Sequence, residues 1–290
     1  MLTVFDYLVM TIPFSDSRAA LVIAHPGHEL RVYQWLRLAR PLCFVLTDGS
    51  GHSGKARLDS TTKLLERNGA RMGCIYGRLT DREIYSALLK SDVTLFIDLC
   101  LELVGELVRE EIDYVVGDAI EGYNPAHDVC RFMINAAVEM ASRKRKQSLL
   151  NFEVSLTSPP GNGAEAMTGK AIRIHLNEED LSRKLKAAQV YHELAGEVDQ
   201  ILRREGIQAI QTEWLQPVAN RDISIRQPES PYYELHGEKQ VAAGYYEQVL
   251  RYSEHVLPVA RALRDYSQNA SDEHGPIAVK NPILSPPLSS

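Results

Sequence analysis

Over its first 140 residues the chain switches between short unbroken apolar runs and longer stretches in which apolar positions recur every three or four residues. The short runs Ala20–Ala24, Cys43–Thr47, Arg71–Tyr76, Val93–Ile97 and Tyr114–Val116 read as buried strands. The periodic stretches Glu29–Ala39, Lys55–Arg67, Asp81–Leu89, Leu99–Glu110 and Ala126–Ser142 read as helices. Strands alternating with helices of this length predict an α/β fold: a doubly wound, mostly parallel sheet with helices on both faces. Such sheets receive ligands at the carboxyl ends of their strands.

The second half is patterned less regularly. The segment 158–163, Ser-Pro-Pro-Gly-Asn-Gly, is a loop by composition. Ile172–Leu176 reads as a strand, and Asn177 followed by Glu178, Glu179 and Asp180 is a helix start, with the helix running to Arg204. Ala209–Leu215 is expected to return to the sheet, and a further helix is expected over Lys239–Arg264. Residues 1–267 are then one domain with an elaborated C-terminal half. The Ser-, Pro- and Asn-containing tail 268–290 is expected to be poorly ordered.

Composition narrows the function classes. In 290 residues, 44% are hydrophobic and 24% charged, as in ordinary globular domains. A net charge of −6 provides no general basic field for phosphates, which argues against nucleic acid as a partner. The basic run Arg143–Lys146 falls at a predicted helix C-terminus, where cations suit the helix dipole. Cys43, Cys74, Cys100 and Cys130 are widely spaced in or beside apolar runs, the pattern of free thiols in a reducing compartment. The apolar N-terminus lacks a basic leader region and contains Asp6. No run approaches the roughly 20 apolar residues of a membrane span. These features together predict a cytoplasmic protein with no membrane partner. A homo-oligomer is compatible with them, and the sequence leaves that state open.

The chemistry is concentrated after two predicted strands. In Leu21-Val22-Ile23-Ala24-His25-Pro26-Gly27-His28-Glu29 the strand ends at Ala24, which puts His25 and His28 at the carboxyl edge of the sheet. Three positions apart at a helix start, two imidazoles can converge on one ion, although H-x-x-H alone also fits a pair of surface or capping histidines. A second strand ends near Gly117, and the polar loop Asp118-Ala119-Ile120-Glu121-Gly122-Tyr123-Asn124 leads to His127 at the next helix start. Three protein ligands with one open position is the pattern of catalytic zinc.

These blocks resemble those of the PIG-L/LmbE-like family of zinc-dependent N-deacetylases, whose members carry A-H-P-D-D-E after the first strand and H-P-D-H or a similar motif after a later one. Here the blocks are Ala24-His25-Pro26-Gly27-His28-Glu29 and Asn124-Pro125-Ala126-His127. Between them, Thr47-Asp48-Gly49-Ser50-Gly51 followed by Arg57 is similar to the family's T-x-G loop and its arginine. The resemblance spans residues 19–140 and is weak thereafter. It implies a Rossmann-like fold, a Zn²⁺ cofactor and hydrolysis of an N-acyl group, acetyl above all, from an amino sugar or a similar small polar amide.

Carried over by position, the resemblance assigns the metal to His25, His28 and His127, with His28 in the place of an aspartate ligand. Arg57 and Tyr123 become substrate-binding residues, with Tyr123 and Asn124 where relatives polarise the amide carbonyl and hold the oxyanion, and Glu29 a supporting carboxylate. For Arg57 a helix-surface cation, and for Glu29 a helix-start carboxylate, are the alternative readings. Two departures stand out: Gly27 replaces the family's general-base aspartate, and Asn124 replaces a frequent histidine. A neutral histidine ligand leaves the zinc centre one unit more positive, which favours formation of its hydroxide without an adjacent base. An acid for the leaving amine is still needed. Asp118 and Glu121 rank first as catalytic acids because they share the loop of His127, ahead of Asp48 and His236, although each also fits a loop-capping role. The rival enzyme class is another amidase. The rival outside enzymes is a metal-binding, catalytically silent protein or a binding module. For a different α/β activity the place to look is Tyr232–Glu238.

Overall fold

The computed structural model describes residues 14, 16–51, 54–156, 171–218 and 231–269. The loop expected at 158–163, and nearly all of the tail expected at 268–290, lie outside the described residues.

A seven-stranded sheet forms the centre, in the order β3-β2-β1-β4-β5-β7-β6. Strands β1 (Ala19–Ile23), β2 (Leu42–Thr47), β3 (Arg71–Leu79), β4 (Tyr114–Asp118) and β5 (Leu150–Val154) are parallel. Strand β7 (Thr212–Pro217) adds to β5 antiparallel, and β6 (Ile172–His175) pairs antiparallel with β7. The fold is therefore α/β and Rossmann-like. The order of the first five strands reverses between β1 and β4, and open sheets of this kind hold their ligands at that switch point.

Alternation along β1 explains why its residues are all apolar. Ala20 and Val22 face one core, while Ala19, Leu21 and Ile23 face the other. The first core is closed by α3 (Asp81–Leu89), α4 (Val93–Arg109), α5 (Pro125–Arg145) and α10 (Leu257–Asn269). The second lies under α1 (Tyr33–Ala39), α2 (Leu58–Arg67) and α6 (Glu178–Val190). None of the helices described is long and apolar enough to cross a membrane.

Several predicted elements are corrected. Val93–Ile97, expected as a strand, opens the 17-residue helix α4. Asp92 caps it by accepting the Leu95 N–H, and Phe96, Leu99, Cys100, Leu103, Val104 and Leu107 then form a buried helical stripe. β5 has no predicted counterpart, although Phe152 and Val154 alternate inward along it. Asn177 does cap a helix, through the Asp180 N–H, but the helix expected to reach Arg204 stops at Val190. It resumes after a turn as α7 (Ala195–Glu205). The return to the sheet starts three residues late, after the short helix α8 (Gln208–Gln211). The helix expected over Lys239–Arg264 is instead α9 (Tyr232–Ala242), a loop, a π-turn at Tyr252–Val256 and α10.

The C-terminal half is fastened to the sheet by a buried ion pair. Lys184 Nζ of α6 lies 2.8 Å from Glu213 Oε1 of β7. Glu213 also accepts the backbone N–H groups of Gln34 and Trp35, each at 2.9 Å, at the start of α1. One carboxylate thus joins three elements and satisfies helix-end donors that would otherwise be orphaned.

A candidate site of three histidines at the sheet switch point

Both chemical loops leave the carboxyl ends of adjacent parallel strands, β1 and β4. After β1 the chain turns through Gly27, whose φ of 106° only glycine adopts easily, into a short 3-10 helix at His28–Val32. After β4 it runs to Asn124, whose side chain accepts the Ala126 N–H at 2.9 Å and caps α5, with Pro125 at the first helical position. His127 therefore sits in the first turn of α5, facing His25 and His28.

The three rings form a compact triangle. Centroids are 5.4 Å apart for His25 and His28, 5.0 Å for His25 and His127, and 4.6 Å for His28 and His127. His25 and His127 are buried and His28 is partly so. His25 Nδ1 lies 2.7 Å from Thr47 Oγ1 and 3.0 Å from Asp81 Oδ1, the latter off the line of a well-formed hydrogen bond. His28 Nδ1 lies 2.9 and 3.0 Å from the two Asp118 oxygens. His25 Nε2 and His127 Nδ1 are buried with no hydrogen-bond partner. Burial, reinforced by the two neighbouring imidazoles, pushes the His127 pKa well below the usual range, which keeps that ring neutral.

The carboxylates are held for this task. Burial alone would raise the Asp118 pKa, but the charge and hydrogen bond of His28, with help from His127 and the Ala24 N–H at 2.7 Å, bring it to about 2. Asp81 opens α3, and its other oxygen accepts the Gly51 N–H at 2.6 Å. Burial opposes ionisation of Asp81 too, and its contacts with His25 outweigh it and lower the pKa. Beneath Asp118, the fully buried Arg131 of α5 donates to the Asp118 carbonyl and, at 3.0 Å, to that of Phe152, tying β4 and β5 to α5.

The donor chemistry suits a borderline metal such as zinc: three imidazoles, of which His25 and His28 each have one ring nitrogen beside a carboxylate or a hydroxyl. As the side chains stand, however, no group of three or more His, Cys, Asp or Glu among the described residues is placed to hold a metal ion. An ion bound by all three imidazoles would require the rings to turn.

The other predicted residues are distributed around this triangle. Glu121 accepts from Ser155 Oγ at 2.6 Å and from the Leu156 N–H at 3.0 Å, pinning its loop to the end of β5. Asp48 accepts the Ser50 N–H and so closes its own turn. Arg57 and Pro26 both lie against Gly49, and the Arg57 Nε is buried and unpartnered. Glu29 is fully buried, accepting from the Gly27 N–H and from Thr61 Oγ1, both at 2.7 Å, and burial raises its pKa. Tyr123 is half-exposed and stacks on Tyr232 of α9, while His236 lies beyond Tyr232 rather than in the triangle.

Gly27 is filled against from the other half of the protein. A Cβ there would meet Leu194 Cδ1, with Tyr191 Cζ at 3.7 Å. Both residues belong to the turn between α6 and α7. Sequence reasoning also missed Asp81 and Thr47 as partners of His25. Thr47 lay in a recognised loop, but Asp81 carried only the signal of a helix start.

Fold and cluster together define an α/β protein with a three-histidine triangle at its sheet switch point. No protein-family model and no curated protein matches the chain.

Proposed function

We propose that the protein is a zinc-dependent hydrolase of the PIG-L/LmbE-like type, removing an N-acyl group from an amino sugar or a similar small polar amide. The observation that carries this reading is the triangle itself: three imidazoles at two strand ends, two ring nitrogens buried and bare, two others tied to carboxylates or a hydroxyl. His25, His28 and His127 would hold the ion, which supplies Lewis acidity toward an amide carbonyl and an activated water.

The chain's own residues then have separable tasks. Thr47 and Asp81 orient His25, and Asp118 orients His28, each fixing which ring nitrogen is left bare. With its pKa at about 2, Asp118 is a fixed anion and a positioning residue, not a proton donor near neutrality. The Asn124 side-chain oxygen is used in capping α5, which leaves its amide N–H groups for a carbonyl oxygen. The Arg57 guanidinium, beside the His25–Gly27 turn, suits a hydroxyl or carboxylate of the substrate.

A second reading is favoured by one observation. The position of the family's base is Gly27, and Leu194 occupies the space its side chain would need. Asp118, Glu121 and Asp48 are all engaged elsewhere. A metal-binding protein without turnover is consistent with that arrangement.

The test measures zinc per chain in the wild type and in His25→Ala, His28→Ala and His127→Ala, alongside release of free amine from N-acetylated amino sugars. Close to one zinc with amine release supports the hydrolase, and zinc without turnover on a broad panel supports the silent form. Unchanged metal content in the alanine variants ends both readings.

A further inference from the structure

Helix α9 carries one side chain row inward and another outward. Tyr233 is buried in the first core and Gly237, one turn later, packs on Val249. Tyr232 and His236, also one turn apart, face outward and stack on each other at 5.9 Å. Glu234 anchors the helix by accepting the Tyr252 N–H at 2.8 Å and pairing with Arg251. The outward row is therefore held in place by its own backbone.

That row continues across to the loop of His127. Tyr123 and Tyr232 lie face to face, with centroids 5.1 Å apart and planes 8° from parallel. At the far end, His236 meets Tyr246 edge-on at 6.4 Å. Despite stacking, Tyr123 is 49% and Tyr232 52% exposed. Among the described residues no further ring covers the outer face of Tyr123.

The ladder stands beside the histidine triangle. Tyr123 is four residues from His127, and its backbone neighbour Gly122 donates to Asp128 in the first turn of α5. Half-exposed, parallel, anchored rings present a flat apolar face with polar edges.

We propose that Tyr123 and Tyr232, extended by His236, form a stacking platform for a ring carried by the substrate, so that the amide acted on at the histidines is attached to a cyclic group. The inference rests on the hydrolase reading for what happens to the amide, but not for the binding of the ring. A pyranose offers its C–H face and an arene its π-face to the same platform, and the linear part of the substrate is left to the histidines and Arg57.

The test reads binding rather than turnover, on full-length protein, by calorimetry or ligand-observed NMR. Three probes are used: the methyl glycoside of N-acetylglucosamine, acetanilide and the ring-free N-acetylethanolamine. The wild type is expected to bind at least one ring probe about tenfold more tightly than the ring-free one, the upper range for an aromatic stack. Whichever ring binds identifies the source as sugar or arene. Tyr123→Ala and Tyr232→Ala should each remove most of that preference, Tyr232→Ala leaving N-acetylethanolamine unchanged, while Tyr232→Phe keeps the preference within about twofold. Equal binding of all three probes by the wild type overturns the platform, and that comparison stands even if a variant fails to fold. Equal loss for ring and ring-free probes in Tyr232→Ala also overturns it. Ring preference without amide hydrolysis leaves the platform standing and removes the hydrolase. Hydrolysis indifferent to the ring does the reverse.

Discussion

The two halves of this chain are built on different principles. From β1 to β5 every strand is parallel and the three histidines lie just beyond the carboxyl ends of β1 and β4, so the sheet brings His25, His28 and His127 together. From β6 onward the strands run antiparallel, and the residues that matter reach back into the first half. Leu194 and Tyr191 fill against Gly27, Lys184 and Glu213 hold the start of α1, and Tyr232 stacks on Tyr123. The first half makes the cluster and the second half decides how much room surrounds it.

The sharpest way to break this comparison is to unfasten the second half. Lys184→Met leaves the Glu213 carboxylate buried with only the α1 N–H groups for company, and is expected to cost about 3 kcal/mol in chemical denaturation. Adding Glu213→Gln should recover part of it. A loss below about 1 kcal/mol would mean that the C-terminal half is held by apolar packing alone.

Within the first half, the expected effects fall on metal affinity. Asp118→Asn and Asp81→Asn remove the anions behind His28 and His25, and each should weaken zinc binding by about 10- to 100-fold in chelator competition. Glu121→Gln, whose carboxylate serves the loop to β5, should leave it nearly unchanged. Equal effects from all three would remove the distinction between ligand-orienting and loop-holding carboxylates.

Gly27 lies where the halves meet. Gly27→Asp must adopt a φ of 106° and displace Leu194, and is expected to lose about 1–3 kcal/mol of stability. Gly27→Asp with Leu194→Ala should do better than the sum of the single variants, because the smaller side chain makes the space. Strict additivity would show that the strain is in the backbone and not in the contact.

The smallest effect is one of pH. Burial holds the Glu153 carboxyl above its usual range, despite the attraction of Arg131. The folded state therefore takes up this proton more readily than the unfolded state. Its contribution to stability is greatest in acid and is lost as pH rises through the folded pKa. Glu153→Gln should match the wild type near about pH 4 and gain on it toward about pH 8, which denaturation at several pH values would detect. No gain at any pH would mean that Arg131 fully offsets the burial.

Legibility followed locality. His25, His28 and His127 could be grouped from the chain because each lies in or just beyond the loop that follows an apolar strand, and parallel strands put their carboxyl ends on one edge. Val93–Ile97 misled because its β-branched start resembles a strand, and only the burial of residues at helical spacing through Leu107 shows one continuous face. The turn at Tyr191–Leu194 carries no glycine or proline to announce it, and the helix breaks there where Tyr191 and Leu194 are buried against the second core.

The alternation of apolar runs and helical periodicity was enough to determine an α/β sheet and the edge that carries its chemistry, because both depend on patterns a few residues long. Which carboxylate stands behind which imidazole, and what fills the space beside Gly27, depended on contacts between segments far apart in the chain. Asp81 and His25 are 56 positions apart, and Leu194 and Gly27 are 167 apart. No local pattern encodes such a meeting, since it follows from the packing of helices onto a sheet that has already formed.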